Sequence, residues 1–331
     1  MSQTTTTTMT AWTQREYGPA SGIRLEERPV PAPRRGEVLL RVRATALNAG
    51  DVRIMLGDPL LVRPAFGLTR PRNPVRGMDV AGTVVALGEG VTDVAVGDEI
   101  VAELPGGGGL APCAVAPAKR LVRRPATVEP HIAATLPIAG GTAWQALELA
   151  GVASGQRVLV LGASGGVGTF AVQLAALRGV EVHATAGESN RALIESLGAV
   201  RALDRDIPVG DLPADAYDAV IQIAGGQPLR ALQRPVRPGG TVVLVGGDGG
   251  PVLGPIPRML QAGLLSIGSR RRIRPLAATA KPEVLAGLLA LVDSGRLRPV
   301  IAGEYAFSDA VDALARLEAG HVAGKLVVHN T

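Results

Sequence analysis

One cysteine, Cys113, stands in 331 residues. This excludes an intramolecular disulfide and any cysteine-rich zinc site, structural or catalytic. Cys113 itself reads as a small buried hydrophobe. Aromatic residues are equally scarce, at 2%. A surface that stacks nucleobases needs more of them, which counts against nucleic-acid binding. Charged residues make up 19% and apolar ones 47%, so a mainly disordered chain is excluded. Lysine is nearly absent: Lys119, Lys281 and Lys325 are the only ones, and arginine supplies the rest of the basic side of a net charge of +5. The densest basic run, Arg270, Arg271, Arg272 and Arg274, reads as a solvated loop. The N-terminus has no apolar core of a signal peptide, and Thr4 to Thr8 read as a flexible tail. Residues 158–177 carry no charge and have the length of a membrane span. Gly162, Gly165, Gly166 and Gly168 interrupt that run and fit a strand, a turn and a helix better. The expectation is a cytoplasmic protein with no membrane partner.

The chain is long enough for two domains. Its 43 glycines call for many tight turns and some close backbone approach to a ligand. Residues 36–44, 80–87 and 96–102 read as short strands separated by turn residues, which suggests an antiparallel, barrel-like unit. The texture changes near residue 130. Strand-like segments (157–161, 180–184, 219–223, 241–245) then alternate with helix-like ones (166–178, 189–197, 229–232, 257–264). That rhythm predicts βαβ units and a parallel sheet. From about residue 276 two further helices and two strands follow.

The motif that carries chemistry is Val158-Leu-Val-Leu-Gly162-Ala163-Ser164-Gly165-Gly166-Val167-Gly168. An apolar strand runs into a glycine turn, and a helix starts on the last glycines. Backbone N–H groups can approach a pyrophosphate there, and the helix N-terminus adds a positive dipole end. Ala163 stands where the strict fingerprint has glycine. An NAD site places an acid about 20 residues on. The matching position is near Gly187, with Glu188 as its neighbour; Thr185, Ser189, Asn190 and Arg191 offer donors and one positive charge. With Gly187 at the strand end, no carboxylate repels a 2′-phosphate, and the cofactor is NADPH. A shift of one residue would instead make Glu188 a ribose ligand.

These residues resemble the zinc-independent, quinone-oxidoreductase-like medium-chain dehydrogenase/reductases, over nearly the whole chain. Ala46-Leu47-Asn48-Ala49-Gly50-Asp51 is similar to the family's "LN..D" segment. Residues 77–84 and 97–99 follow its "G.D..G.V … GD.V" pattern, residues 136–144 its "LP.AG.TAW" linker, and residues 162–168 its "GASGGVG". Residues 237–240 and 320–325 match later landmarks. The resemblance implies an α/β chain of two domains. A GroES-like β-barrel-type catalytic domain would take residues 1–130 and 276–331, and a Rossmann doubly wound parallel-sheet domain residues 131–275. The cofactor would lie in the cleft. The family's habit of pairing through an edge strand implies a homodimer, with 264–269 as the candidate edge.

Zinc-dependent relatives carry a Cys in the first segment and a His before the acid of "GHE"; here stand Ala49-Gly50 and Met78. No metal is expected. The chemistry left is hydride transfer from NADPH to an electron-poor small molecule, a quinone or an α,β-unsaturated carbonyl, whose conjugation is the electron sink. The resemblance implies catalytic-side roles for Asn48, Arg53 and Thr142. It implies cofactor contacts at Ser164, Gly165, Gly166, Val167, Gly168, Thr185, Ser189, Arg191, Ile223, Gly246 and Lys325. Asp51 and Asp79 read as structural, the latter needing a partner if buried. The segment after "LN..D" has no tyrosine; Tyr17, Tyr217 and Tyr305 lie elsewhere, which leaves a tyrosine proton donor in doubt. Two other readings stay open: an enoyl or tailoring reductase of a biosynthetic pathway, and a non-catalytic NADP(H)-binding regulatory protein.

Overall fold

A computed structural model describes residues 7–246 and 249–330. Of the threonine run, Thr8 opens a strand, while Thr4 to Thr6 lie outside the described residues. The chain forms two compact units. The first holds Met1–Ile138, Ala280–Gly295 and Ile301–Thr331, the second Ala139–Thr279 and Arg296–Val300. The division thus falls eight residues later than the change of texture near 130, and residues 296–300 return once more to the second unit.

The first unit begins with a hairpin of β1 (Thr8–Thr13) and β2 (Arg24–Pro29). Its main sheet is built on β3 (Glu37–Leu47), β4 (Asp79–Leu87), β5 (Glu99–Glu103), β6 (Cys113–Pro117) and β7 (Val122–Arg123). Helices α1 (Ala49–Leu56), α2 (Arg63–Phe66) and α3 (Pro130–Ala133) lie between or after these strands. Inward side chains alternate along the strands, as in Val38, Leu40 and Val42, and meet Val80, Val84, Ile100, Ala114 and Ala116 in a closed apolar core. Cys113 is half-buried rather than buried: it opens β6, where the strand still faces solvent, and burial pushes its thiol pKa up.

The second unit starts at α4 (Gly141–Ala150), reached through one π-helical turn, Leu136–Gly140. It continues as β8 (Arg157–Leu161), α5 (Gly166–Leu177), β9 (Glu181–Ala186), α6 (Arg191–Ser196), β10 (Arg201–Asp204), β11 (Tyr217–Gln222), α7 (Leu229–Gln233), β12 (Val236–Leu244), α8 (Ile256–Ser266) and β13 (Arg272–Pro275). All strand pairs are parallel, in the order β10-β9-β8-β11-β12-β13. This is the doubly wound order that reverses between its first and fourth strands, here β8 and β11. The helical spacing of Leu260 and Leu264 runs on to Ser266, and Gly268 at φ +67° closes the turn. The segment 264–269 is therefore helix end and turn, and the edge strand is β13. Arg272 and Arg274 belong to that strand, not to a loop. Two buried glutamines tie the returning segments to this unit. Gln145 on α4 exchanges two hydrogen bonds with Thr279, and Gln173 on α5 does the same with Arg298.

The chain closes in the first unit with α9 (Pro282–Asp293), β14 (Ile301–Ala306), α10 (Ala310–Ala319) and β15 (Lys325–His329). Strand β15 pairs antiparallel with β3, Leu326 opposite Leu47.

Gly168 decides how closely β8 and α5 meet. A Cβ there would stand 2.3 Å from Gly162 O and 2.5 Å from Ala163 O, atoms of the backbone that cannot yield. We predict that Gly168→Val lowers stability by roughly 2–3 kcal/mol in denaturant titrations. An unchanged midpoint would contradict the close approach.

Candidate active site

The turn after β8 is shaped by what it lacks. Gly162 adopts φ +84°, and a Cβ on it would strike the Ala224 Cβ at 2.7 Å. Gly165 is the extended N-cap of α5, and Gly166 is the first helical residue. A Cβ on Gly165 would find nothing nearer than 3.8 Å, so the approach to the helix N-terminus is open. Ser164, Gly165, Gly166 and Val167 are half-buried, while Gly168 is buried. The first N–H groups of a helix have no intrahelical acceptor, and the N-cap of α5 makes no side-chain cap hydrogen bond. Thr185 braces the turn from β9: its hydroxyl accepts the Gly162 N–H at 3.2 Å, and its carbonyl accepts the Ala163 N–H at 3.1 Å. Ile223 follows β11 and donates to Leu161 O at 2.9 Å; Gly246 follows β12. Both stand at carboxyl ends of strands, where ligands bind in open parallel sheets. Thr142 lies one residue into α4. The chain is already helical at Gly140, so Thr142 is not the cap of a helix start.

Beside the end of β9 an open cavity of about 640 Å³ is lined by Gly187, Glu188, Ser189, Asp204, Arg205 and Asp206. Arg191 is not among them; its guanidinium is paired with Asp204 at 2.5 Å. The cation that borders Gly187 is Arg205, whose side chain approaches to 3.8 Å of a Gly187 Cβ position. Arg205 follows directly on β10, a strand whose end the sequence does not mark.

In the first unit, α1 presents Asn48 and Asp51. The Asn48 N–H donates to Asp51 Oδ2 at 2.9 Å, and the Gly77 N–H donates to Asp51 Oδ1 at 2.9 Å. Burial raises the Asp51 pKa, against these bonds and the nearby Arg76. Asn48 Nδ2 donates to Asp79 Oδ2 at 2.9 Å, and Lys325 Nζ donates to Asn48 Oδ1 at 2.5 Å. Asp79 is fully buried and does have its partners, as its apolar surroundings require. Burial raises the Asp79 pKa and lowers that of Lys325, while their opposite charges counteract both shifts. Arg53 is half-buried in the last turn of α1.

Two features had no signal in the sequence. Arg76 is 1% exposed, with its Nε and Nη1 atoms unpartnered. Tyr17 does reach the segment after "LN..D" through space. Its hydroxyl donates to Gly67 O at 2.5 Å, its ring lies against Gly57, and Arg63 stacks over it at 4.6 Å. The hydroxyl is thus spent on backbone. His183 is satisfied by Tyr217 and Glu181.

Comparison with known proteins bears on both units. The profile of the alcohol dehydrogenase GroES-like domain matches residues 34–126, and that of a zinc-binding dehydrogenase domain matches residues 197–328. The chain is 38% identical over 323 residues to a chloroplast envelope quinone oxidoreductase homolog of Arabidopsis thaliana, covering 94% of this chain and 95% of that one. It is 33% identical to the NADPH-dependent alkenal/one oxidoreductase of the same plant, over 97% of this chain and 79% of the relative. Among solved structures, the quinone oxidoreductase of Coxiella burnetii superposes with a TM-score of 0.85 at 29% identity, over 98% of this chain and 99% of that one. The chain is an oxidoreductase of the medium-chain dehydrogenase/reductase family and belongs to its quinone-oxidoreductase-like branch.

Proposed function

We propose that the protein reduces quinones or α,β-unsaturated carbonyl compounds with NADPH, without a metal. The observation that carries the reading is the open glycine turn at the reversal of strand order. It offers main-chain donors and a helix N-terminus to a pyrophosphate. The fit is good: Gly162 and Gly168 leave no room for side chains, and Gly165 leaves the approach clear. The chemistry that a bound reduced nicotinamide supplies is a hydride for an electron-poor carbon. The chain's own residues bind and orient. Gly165, Gly166, Val167 and Gly168 would hold the pyrophosphate, with Thr185 keeping the turn in shape. Ser189 and Arg205 would hold the 2′-phosphate, the guanidinium exchanging its contact with Asp206 for the phosphate. Asn48 and Lys325 would serve the nicotinamide side. Names of the two plant relatives support the substrate class.

The metal-free part of the reading rests on the donor set at the position of the zinc ligands, where Gly50 and Met78 stand. The Met78 methyl lies 2.8 Å from where a Gly50 Cβ would stand, so an apolar group fills that space. No helix of the described residues is long and apolar enough to cross a membrane.

We further propose a homodimer through the β13 edge. Leu264 and Ile267 beside it are 70% and 77% exposed, an unusual load of apolar surface for a free helix end.

Three outcomes are expected. Gly166→Asp places a carboxylate against the pyrophosphate and abolishes NADPH binding in fluorescence titrations; unchanged affinity would refute the phosphate assignment. Arg205→Ala weakens NADPH roughly tenfold, and NADH less than about twofold, since one charge-assisted contact to phosphate is worth about 1.4 kcal/mol; equal effects on both cofactors would remove Arg205 from the 2′-phosphate. Leu264→Asp with Ile267→Asp converts dimer to monomer in light scattering, and a wild type already monomeric would contradict the interface.

A further inference from the structure

The polar cluster at Asp79 is costlier than a simple tether between strands requires. Asp79 on β4, Asn48 before α1 and Lys325 at the start of β15 are 0%, 7% and 2% exposed. A buried ion pair is commonly no better for stability than apolar residues of the same volume. Yet three side chains from distant parts of the sequence converge on it.

Their geometry forms a directed chain. The Asp79 carboxylate accepts Asn48 Nδ2 at 2.9 Å and the Ile138 N–H at 3.2 Å. In its ionised form, which Lys325 favours against burial, the Asp79 carboxyl only accepts, so the Asn48 amide turns its nitrogen toward it. The amide oxygen then faces Lys325, whose ammonium donates to it at 2.5 Å and to Leu47 O at 2.9 Å. The same ammonium stands 3.8 Å from Asp79 Oδ2. Asp51 on α1 adds a second negative charge toward Lys325, and Arg76 faces Asp51. Glu103 on β5 faces Asp79 and is itself paired with Arg120. From α3, His131 stacks on His329 at the far end of β15, in a separate polar group with Glu304.

We propose that Asp79 is a positioning residue of the reduction: it holds the Asn48 amide in one orientation and keeps Lys325 a cation against that amide's oxygen. The role rests on the reading of Asn48 and Lys325 as nicotinamide-side residues. Without Asp79, the amide is free to turn over, and Asp51 alone is left to offset the burial of the lysine. Removing a negative charge beside a buried ammonium makes it lose its proton at lower pH.

The chain has only three lysines, so protein labelled with ε-¹³C-lysine gives three titrating signals. Lys325 is assigned by the signal lost in Lys325→Met. In the wild type its signal is at the charged position at pH 7. In Asp79→Asn its midpoint moves down by roughly one pH unit or more, while Lys119 and Lys281 stay in place. A neutral Lys325 at pH 7 in the wild type, or an unmoved midpoint in the variant, overturns the proposal. This readout needs no turnover. A wild type that oxidises NADPH with no quinone or enone would sink the functional reading and leave the lysine titration to judge Asp79. With an active wild type, kcat of Asp79→Asn falls roughly tenfold or more, and its alkaline limb moves to lower pH by the same interval. A lowered but unshifted profile means a structural role only and overturns the proposal. Should Asp79→Asn not fold, the charge-neutral pair Asp79→Leu with Lys325→Met replaces it. It is expected to fold and to lose at least about tenfold in kcat; wild-type kcat overturns the proposal.

Discussion

The close approach of the β8–α5 turn to its own helix is the constraint on which the second unit depends. Gly168 lets the helix start against the carbonyls of Gly162 and Ala163. Gly162 lets the turn pass under Ala224 on the neighbouring strand end. Thr185 then pins the loop from the other side. The result is a helix N-terminus whose first residues are bare main chain. Any side chain at the two tight glycines would push the strand and the helix apart.

The first unit solves a different problem. Its sheet must bring the C-terminal strand β15 back to β3, and beside that pairing Asn48, Asp51, Asp79 and Lys325 satisfy one another and adjacent main-chain N–H groups. Within the first unit this cluster carries a charged amide–ammonium pair, Asn48 with Lys325.

Much of this was legible in the sequence. The strand at 157–161 and the last strand at 325–329 are found where the apolar runs put them, because both are bounded by turn residues and buried on both faces. The glycine turn could be read since its pattern is local in sequence; Gly168 is needed by carbonyls a few residues away, although Gly162 is kept bare by Ala224, far along the chain. Features that depend on meetings through space were not legible. Nothing near Tyr17 announces that it packs on Gly57 and Gly67. That Arg205 borders Gly187 was not legible, because the pairing of β10 with β9 that brings them together is a meeting through space. The sequence singled out Arg191 by its place after Gly187, but α6 turns that side chain toward Asp204. The edge strand was misplaced because β13 is short and arginine-rich, so that Arg270 to Arg274 reads as a solvated loop. Asp79 could be seen to need a partner, but not that Asn48 and Lys325 would be the ones to supply it.

The central claim is that the bare main chain at residues 165–168 holds a pyrophosphate while the β9 end holds a third phosphate. A ³¹P NMR titration of NADPH with the protein tests it directly. The account predicts that the pyrophosphate and 2′-phosphate resonances all shift and broaden up to one equivalent. Pyrophosphate signals that stay at their free positions while protein is in excess would contradict it.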